Sequence, residues 1–296
     1  MMNDLKMKSK YCIQIPPERE DLKCNGCGEC AMTETQGGDM NLQEILKPVL
    51  PLGKFWTHSI TAVSGCTKIS PGCQNCWAEA MQMRFNGGAQ FDGTVRENPE
   101  RLAQILPKSN RRAPRVWTYW NDIFHEGVSI EFQLRLFNII IESNDYHIIC
   151  TKRPNVAVNF VKSNMPIPLK NVIILVTMED QQRADDRMPF ANKLLGLGWN
   201  VGALVEPMLG QVDLWEGIWD CTGNFRTHGG KRQFEMVRKE HHLSWIICGP
   251  ENGHGKRPFD QAWAMRLQTQ AKQARVPFLY KAGLLNGKYY HEVPAI

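Results

Sequence analysis

Short runs of continuous apolar residues punctuate the chain: "RVWTYW" (115–120), "YHIICT" (146–151), "NVIILVT" (171–177), "GALVEP" (202–207), "SWIICG" (244–249) and "VPFLYK" (276–281). A strand with one wet face alternates, whereas an unbroken apolar run suits a parallel strand covered on both faces. Between several of these runs lie helical stretches. "SIEFQLRLFNIIIESN" places Ile130, Leu134, Phe137 and Ile141 on one stripe. "FDQAWAMRLQTQAKQARVP" places Trp263, Leu267, Ala271 and Ala274 on another, with Asp260 as N-cap and Pro277 just past the end. Strands alternating with helices predict an α/β chain with a parallel sheet and right-handed crossovers. Six or seven strands favour a partial (β/α) barrel over a flat doubly wound sheet, and either one places chemistry at the C-terminal strand ends.

Those ends are polar. "NDIFHE" follows the first run and "TKRP" the second. "MEDQ" follows "VIILVT", "EP" follows "GALV", "PENGHGKRP" follows "WIICG", and "KAG" follows "PFLY". All of them point at one mouth, as a barrel active site requires, although loops are commonly polar.

Composition narrows the class. Of the 296 residues, 43% are hydrophobic and 22% charged, ordinary values for a folded protein. No apolar run reaches the roughly 18 residues of a membrane span, and no apolar signal core follows the basic "MMNDLKMKSK". A cytoplasmic location is expected, which argues against structural disulfides and makes clustered cysteines metal ligands or catalytic groups. The net charge of +5 permits an anionic partner without demanding one.

The cysteines then become the main chemical clue. "SGCTKISPGCQNCWAE" (64–79) carries Cys66, Cys73 and Cys76 in the spacing C-x6-C-x2-C. Three thiolates on a Gly- and Pro-rich loop suit a metal, either an iron–sulfur cluster or zinc. No fourth Cys or His follows closely, so a cluster held this way keeps one iron free for a small molecule. Residues 1–39 form a polar, Cys-rich N-terminal extension to a domain spanning 40–296. Within it, "CNGCGEC" gives Cys24, Cys27 and Cys30, with Cys12 upstream. These four would hold a second [4Fe–4S] cluster, a structural zinc or nothing. Cys150, Cys221 and Cys248 are isolated and read as core residues rather than ligands.

From about Phe55 to Gly283 the chain resembles the three-cysteine-motif proteins of bacteriophage and bacterial genomes, a family long of unknown function and similar to radical S-adenosylmethionine enzymes. The resemblance rests on "GCTKISPGCQNCWAE", "NDIFHE", "TKRP", "TMEDQQRADDRMP", "EPMLG", "ICGPENGHGKRP" and "VPFLYKAG", in that order. It implies a partial barrel of the radical S-adenosylmethionine type, with a [4Fe–4S] cluster in the loop after the first strand. S-adenosylmethionine on the free iron would then yield a 5′-deoxyadenosyl radical. The cysteine spacing departs from the commonest C-x3-C-x2-C of such enzymes. Relatives often carry Gly-Gly-Glu-Ser-Gly where this chain has Gly249, Pro250, Glu251, Asn252 and Gly253.

Roles follow for the strand ends. Lys152 or Arg153 would pair with the cofactor carboxylate. Glu179 or Glu206 would take ribose hydroxyls or the amino group. Glu251 and Asn252 lie in a Gly-rich segment that lets backbone approach the cofactor. Asp122 and His125 form a candidate acid–base pair, with surface ion pairs or structural donors as the plainer alternative.

The basic, aromatic-interleaved stretch "NFRTHGGKRQFEMVRKEHH" (224–242) suits a phosphate backbone with stacked bases, or an ordinary solvated helix and loop. The sharpest expectation is rearrangement of a hypermodified thymidine in phage DNA, inside the host cytoplasm, with a flavodoxin or ferredoxin as reductant. The rival readings are a radical DNA-lesion repair lyase, a peptide modifier, or a non-enzymatic nucleic-acid-binding module stapled by metal.

Overall fold

A computed structural model describes residues 41–85, 91–106, 113–228 and 231–296, with the side chains of 85 and 220–238 left out. Cys12, Cys24, Cys27 and Cys30 therefore lie outside the described residues. The chain divides into two units, 1–37 and 38–296, and every described residue belongs to the second.

Seven parallel strands form the central sheet: β1 (His58–Ile60), β4 (Val116–Tyr119), β5 (Tyr146–Thr151), β6 (Val172–Thr177), β7 (Asn200–Val205), β10 (Trp245–Cys248) and β11 (Phe278–Tyr280). They stand side by side in chain order and curl into a half-barrel. Two very short strands, β2 (Val63–Ser64) and β3 (Arg96–Glu97), pair antiparallel beside it. All six apolar runs became strands. In β6 every residue of "VIILVT" is buried, and each large aliphatic side chain taken from water there contributes about 2 kcal/mol.

The crossovers are helical where the 3.6-residue period was visible. Helices α3 (Ile130–Ile141), α4 (Pro154–Asn164), α5 (Gln181–Gly196) and α6 (Gln261–Ala274) cover one face of the sheet. Asp260 does cap α6, accepting from the Ala262 N–H at 2.8 Å. Asp180 and Ser129 cap α5 and α3 in the same way. The buried stripe of α3 is Phe132, Leu136, Phe137 and Ile140, and Ile130 is exposed. The expected stripe is thus rotated, because this helix is apolar around most of its girth and its period alone does not choose a face.

The other face has its own, smaller core. Helix α1 (Leu42–Leu46), opened by an Asn41–Glu44 capping box, buries Leu42, Ile45 and Leu46 against Ile148, Leu175, Trp245 and Ile247. Helix α2 (Trp77–Phe85) follows the cysteine loop. Between β7 and β10 the crossover helix is replaced by a short 3-10 turn, Trp215–Gly217, and an antiparallel ribbon of β8 (Trp219–His228) and β9 (Lys231–Arg238). No helix among the described residues is long and apolar enough to cross a membrane.

A buried carboxylate pins the start of the sheet. Asp145 accepts from the Arg115 N–H (2.8 Å), Arg115 Nε (2.9 Å) and Trp117 Nε1 (2.8 Å). Burial alone would push this carboxyl up, but the donors from Trp117 and Arg115 hold it below its ordinary value. Removing one member of such a pair strands the other, at a cost of about 3 kcal/mol. Asp145→Ala should lower the urea midpoint accordingly at pH 7. Because the folded pKa is depressed, the wild type's advantage is full above the unfolded carboxylate value of about 4 and fades as pH falls through the lower folded value. A pH series of urea melts checks both statements.

Candidate active site at the strand ends

The cysteine loop runs from β2 into α2. Gly65 starts it at φ 82°, where a Cβ would lie 2.0 Å from the Thr94 carbonyl oxygen, so only glycine lets β2 and the 94–97 segment close together. Pro71–Cys73 is a 3-10 turn entered through an extended Ser70. At Gly72 a Cβ would lie 2.9 Å from Glu179 Oε1, so the turn settles directly on that carboxylate.

One side of the loop is braced by a buried arginine. Arg153, 2% exposed, donates from Nη2 to Thr67 Oγ1 (2.6 Å) and the Thr67 carbonyl (3.3 Å). Its Nε reaches Glu126 Oε2 at 2.7 Å and its Nη1 reaches Asp122 Oδ2 at 3.4 Å. Asp122 also accepts from Thr151 Oγ1 and the Lys152 N–H. His125 Nδ1 accepts from the Gly127 N–H (2.9 Å), which leaves the proton on Nε2, 2.8 Å from Thr67 Oγ1. Burial, with help from Arg153, pulls His125 below its ordinary value and keeps it neutral. Asp122 and His125 are therefore brought together as struts of the cysteine loop, with their polar atoms engaged.

The opposite side is braced by the 251–257 loop. Glu251 accepts from Asn75 Nδ2 (3.0 Å), from the Arg257 N–H and Nε (2.9 Å each) and from Arg257 Nη2. Arg257 Nη2 donates on to the Pro71 carbonyl at 3.0 Å, and Asn75 Nδ2 to the Gly255 carbonyl at 3.0 Å. The Arg257 guanidinium holds the Glu251 carboxyl down at about 2 against the opposing effect of burial.

The thiols have not converged. Cys66 Sγ lies 3.5 Å from the Thr67 carbonyl and 3.8 Å from Arg153 Nη1, and Cys73 Sγ lies 3.6 Å from Ser70 Oγ. Among the described residues no three Cys, His, Asp or Glu side chains stand close enough to hold a metal ion. All three cysteines are free thiols on one braced loop. Cys248 is buried core, as expected, while Cys150 is half-buried.

Two further groups line the mouth. Glu206 forms an ion pair with Lys281 Nζ (2.6 and 2.7 Å) and accepts from Asn252 Nδ2 at 3.3 Å. Lys281 also lies over the Phe55 and Trp56 rings. Glu179 is fully buried; its Oε2 takes Arg187 Nη1 at 2.7 Å, and its Oε1 has no hydrogen-bond partner. Burial pushes this carboxyl up, but Arg187 first, then Lys152 and Ser70, hold it lowered and charged. Lys152 makes no side-chain hydrogen bond or ion pair among the described residues, yet lies near enough to act on both Glu179 and Cys150.

A family profile matches residues 54–292 of this chain. The chain belongs to the DUF5131 family. Its description is a protein of unknown function. No curated protein and no solved structure matches. The DUF5131 match includes the cysteine loop and both of its braces and leaves out Cys12, Cys24, Cys27 and Cys30. Thr67, Asn75, Arg187, Arg257 and Lys281 were not singled out by sequence reasoning. All five sit inside the motifs that carry the family resemblance, and their contacts in the fold reveal their roles.

Glu251→Gln should free the loop without removing a thiol. Hydrogen exchange at the backbone of residues 66–76 should quicken relative to the strands, with a loss of about 2 kcal/mol for a charged hydrogen-bond partner. Unchanged exchange there would mean that the clasp does not restrain the loop.

Proposed function

We propose that this chain is a radical S-adenosylmethionine enzyme. The observation that carries the reading is the orphaned Glu179 Oε1. A buried, charged carboxylate oxygen without a donor costs several kcal/mol unless a ligand supplies one. It lies against the turn that carries Cys73, at the C-terminal mouth of a half-barrel. The donor set fits: Cys66, Cys73 and Cys76 are free, share one loop and have no disulfide partner. They would hold a [4Fe–4S] cluster, exchanging their present hydrogen bonds for metal bonds.

The present partners of the strand-end residues support one member of each alternative. Arg153 is committed to Asp122, Glu126 and Thr67, so Lys152 is the cation left for the cofactor carboxylate. Lys281 takes both oxygens of Glu206, whereas Arg187 takes only Oε2 of Glu179, so Glu179 Oε1 would accept from the amino group and the Glu206–Lys281–Asn252 group would face the ribose. When bound, the cluster would supply the electron that cleaves the cofactor to a 5′-deoxyadenosyl radical. The chain's own work is to position: Lys152 and Glu179 would orient a zwitterion by its two ends while the two braces hold the loop still. A flavodoxin or ferredoxin would supply reducing equivalents in the cytoplasm. The N-terminal cysteines would carry a second cluster or zinc.

The test is anaerobic reconstitution with iron and sulfide, counting of both, and assay of 5′-deoxyadenosine. The Cys66→Ala, Cys73→Ala, Cys76→Ala triple variant should lose all cleavage. Glu179→Gln should retain iron and weaken S-adenosylmethionine binding about ten- to a hundredfold, the usual worth of a hydrogen bond to a charged group. Zinc bound without iron, together with no cleavage, would overturn the reading in favour of a metal-stapled binding module.

A further inference from the structure

The cofactor reading leaves an aromatic pair on the same rim without a task. Trp77 opens α2 directly after Cys76 and is 51% exposed, whereas Trp117, Trp199 and Trp245 are buried. Leaving an indole in water forfeits the free energy of burying it, so an exposed and fixed one calls for an occupant. It is fixed by Trp120, at the end of β4, which meets it edge-on with ring centroids 5.5 Å apart and planes at 67°. Half of the Trp77 surface stays in water beside that contact.

The charges on the neighbouring loops include one lysine that has no acidic partner among the described residues. Lys68, on the cysteine loop, and Glu79 are spent on one another at 2.7 Å. Lys256 and His254 are exposed on the loop that Asn75 ties to the cysteine turn through the Gly255 carbonyl. On the same clasp Glu251 is already taken by Arg257. An exposed indole beside a loop that carries an exposed lysine matches a planar base borne on a phosphate chain.

We infer that Trp77, braced by Trp120, is the stacking platform for the substrate, and that the substrate is a nucleobase on a single-stranded or locally opened polynucleotide whose phosphates face Lys256. This deepens the radical reading and rests on it for the chemistry, but not for the binding. A base inside a duplex cannot present its face to an indole, so a duplex substrate must give up the base first. Specificity for a ring over a sugar or an aliphatic side chain then comes from Trp77, while Lys256 contributes affinity that falls with salt.

The experiment is fluorescence anisotropy with the full chain and no cofactor. Three labelled single strands of about 12 nucleotides are compared: oligothymidylate, its ribose counterpart with the same base, and an abasic sugar–phosphate chain. Both base-bearing strands should bind more tightly than the abasic one; the tighter of the two identifies the sugar. Trp77→Ala should weaken the base-bearing strands about ten- to a hundredfold and leave the abasic strand unchanged. Trp77→Phe, which keeps a ring face, should recover most of the loss. Lys256→Ala should weaken all three alike and flatten the salt dependence. Equal binding of abasic and base-bearing strands, or loss of all three in Trp77→Ala, would overturn the platform. Such a failure alongside intact cofactor cleavage sinks only this inference. Base-dependent binding without cofactor cleavage sinks only the radical reading.

Discussion

Arg153 is a guanidinium taken almost wholly out of water, and the mouth of the half-barrel is arranged around keeping it paired. Burying such a charge is costly unless carboxylates and hydrogen-bond acceptors surround it. Asp122 and Glu126 come from the end of β4, Thr67 from the cysteine loop, and the backbone of β5 supplies Arg153 itself. One cation thereby fastens three separate chain segments at a single point. Because Arg153 is wired to Thr67, the residue after Cys66, the position of the first thiol follows from the same electrostatic requirement. The second and third thiols follow from the matching clasp of Glu251 and Arg257 on Pro71 and Asn75. A loop of short polar residues, with little apolar surface of its own, is held by two charged braces in place of a core.

The parts that were legible in the sequence are those whose cause is local. The strands could be read because "VIILVT" and "HIIC" are buried on both faces and need no partner to say so. Asp260 could be read as a cap because the capping bond spans two residues. The α3 stripe could not, because Phe132, Leu134, Leu136, Phe137, Ile139, Ile140 and Ile141 leave several equally apolar faces, and only the packed sheet selects one. The β8–β9 ribbon was hidden for a different reason. Its charged and aromatic residues carry neither period cleanly, and a helix was the expected crossover between parallel strands.

The site was legible at the level of motifs and not of roles. Each motif did reach the mouth, since every parallel strand ends there. What each side chain does there depends on partners that sequence distance conceals: Arg153 and Thr67 lie 86 positions apart, and Arg257 and Pro71 lie 186 apart. Asp122 and His125 drew notice as a possible acid–base pair because of their types. Their engagement with Thr151, Lys152, Arg153, Gly127 and Thr67 comes from the fold alone.

Both carboxylates at the mouth have a cation partner, Glu206 in Lys281 and Glu179 in Arg187, but Glu179 keeps one oxygen without a donor. Glu206 and Lys281 cancel one another at hydrogen-bond distance, so that pair offers a neutral, polar wall. Glu179 and Lys152 do not meet, although each feels the other's charge. A lone cation would satisfy the carboxylate and repel the ammonium, and a lone anion would do the reverse. A ligand that carries both signs a short distance apart satisfies both at once, and replaces the hydration each group gave up on burial. In the proposed function the α-amino acid end of S-adenosylmethionine would be that ligand.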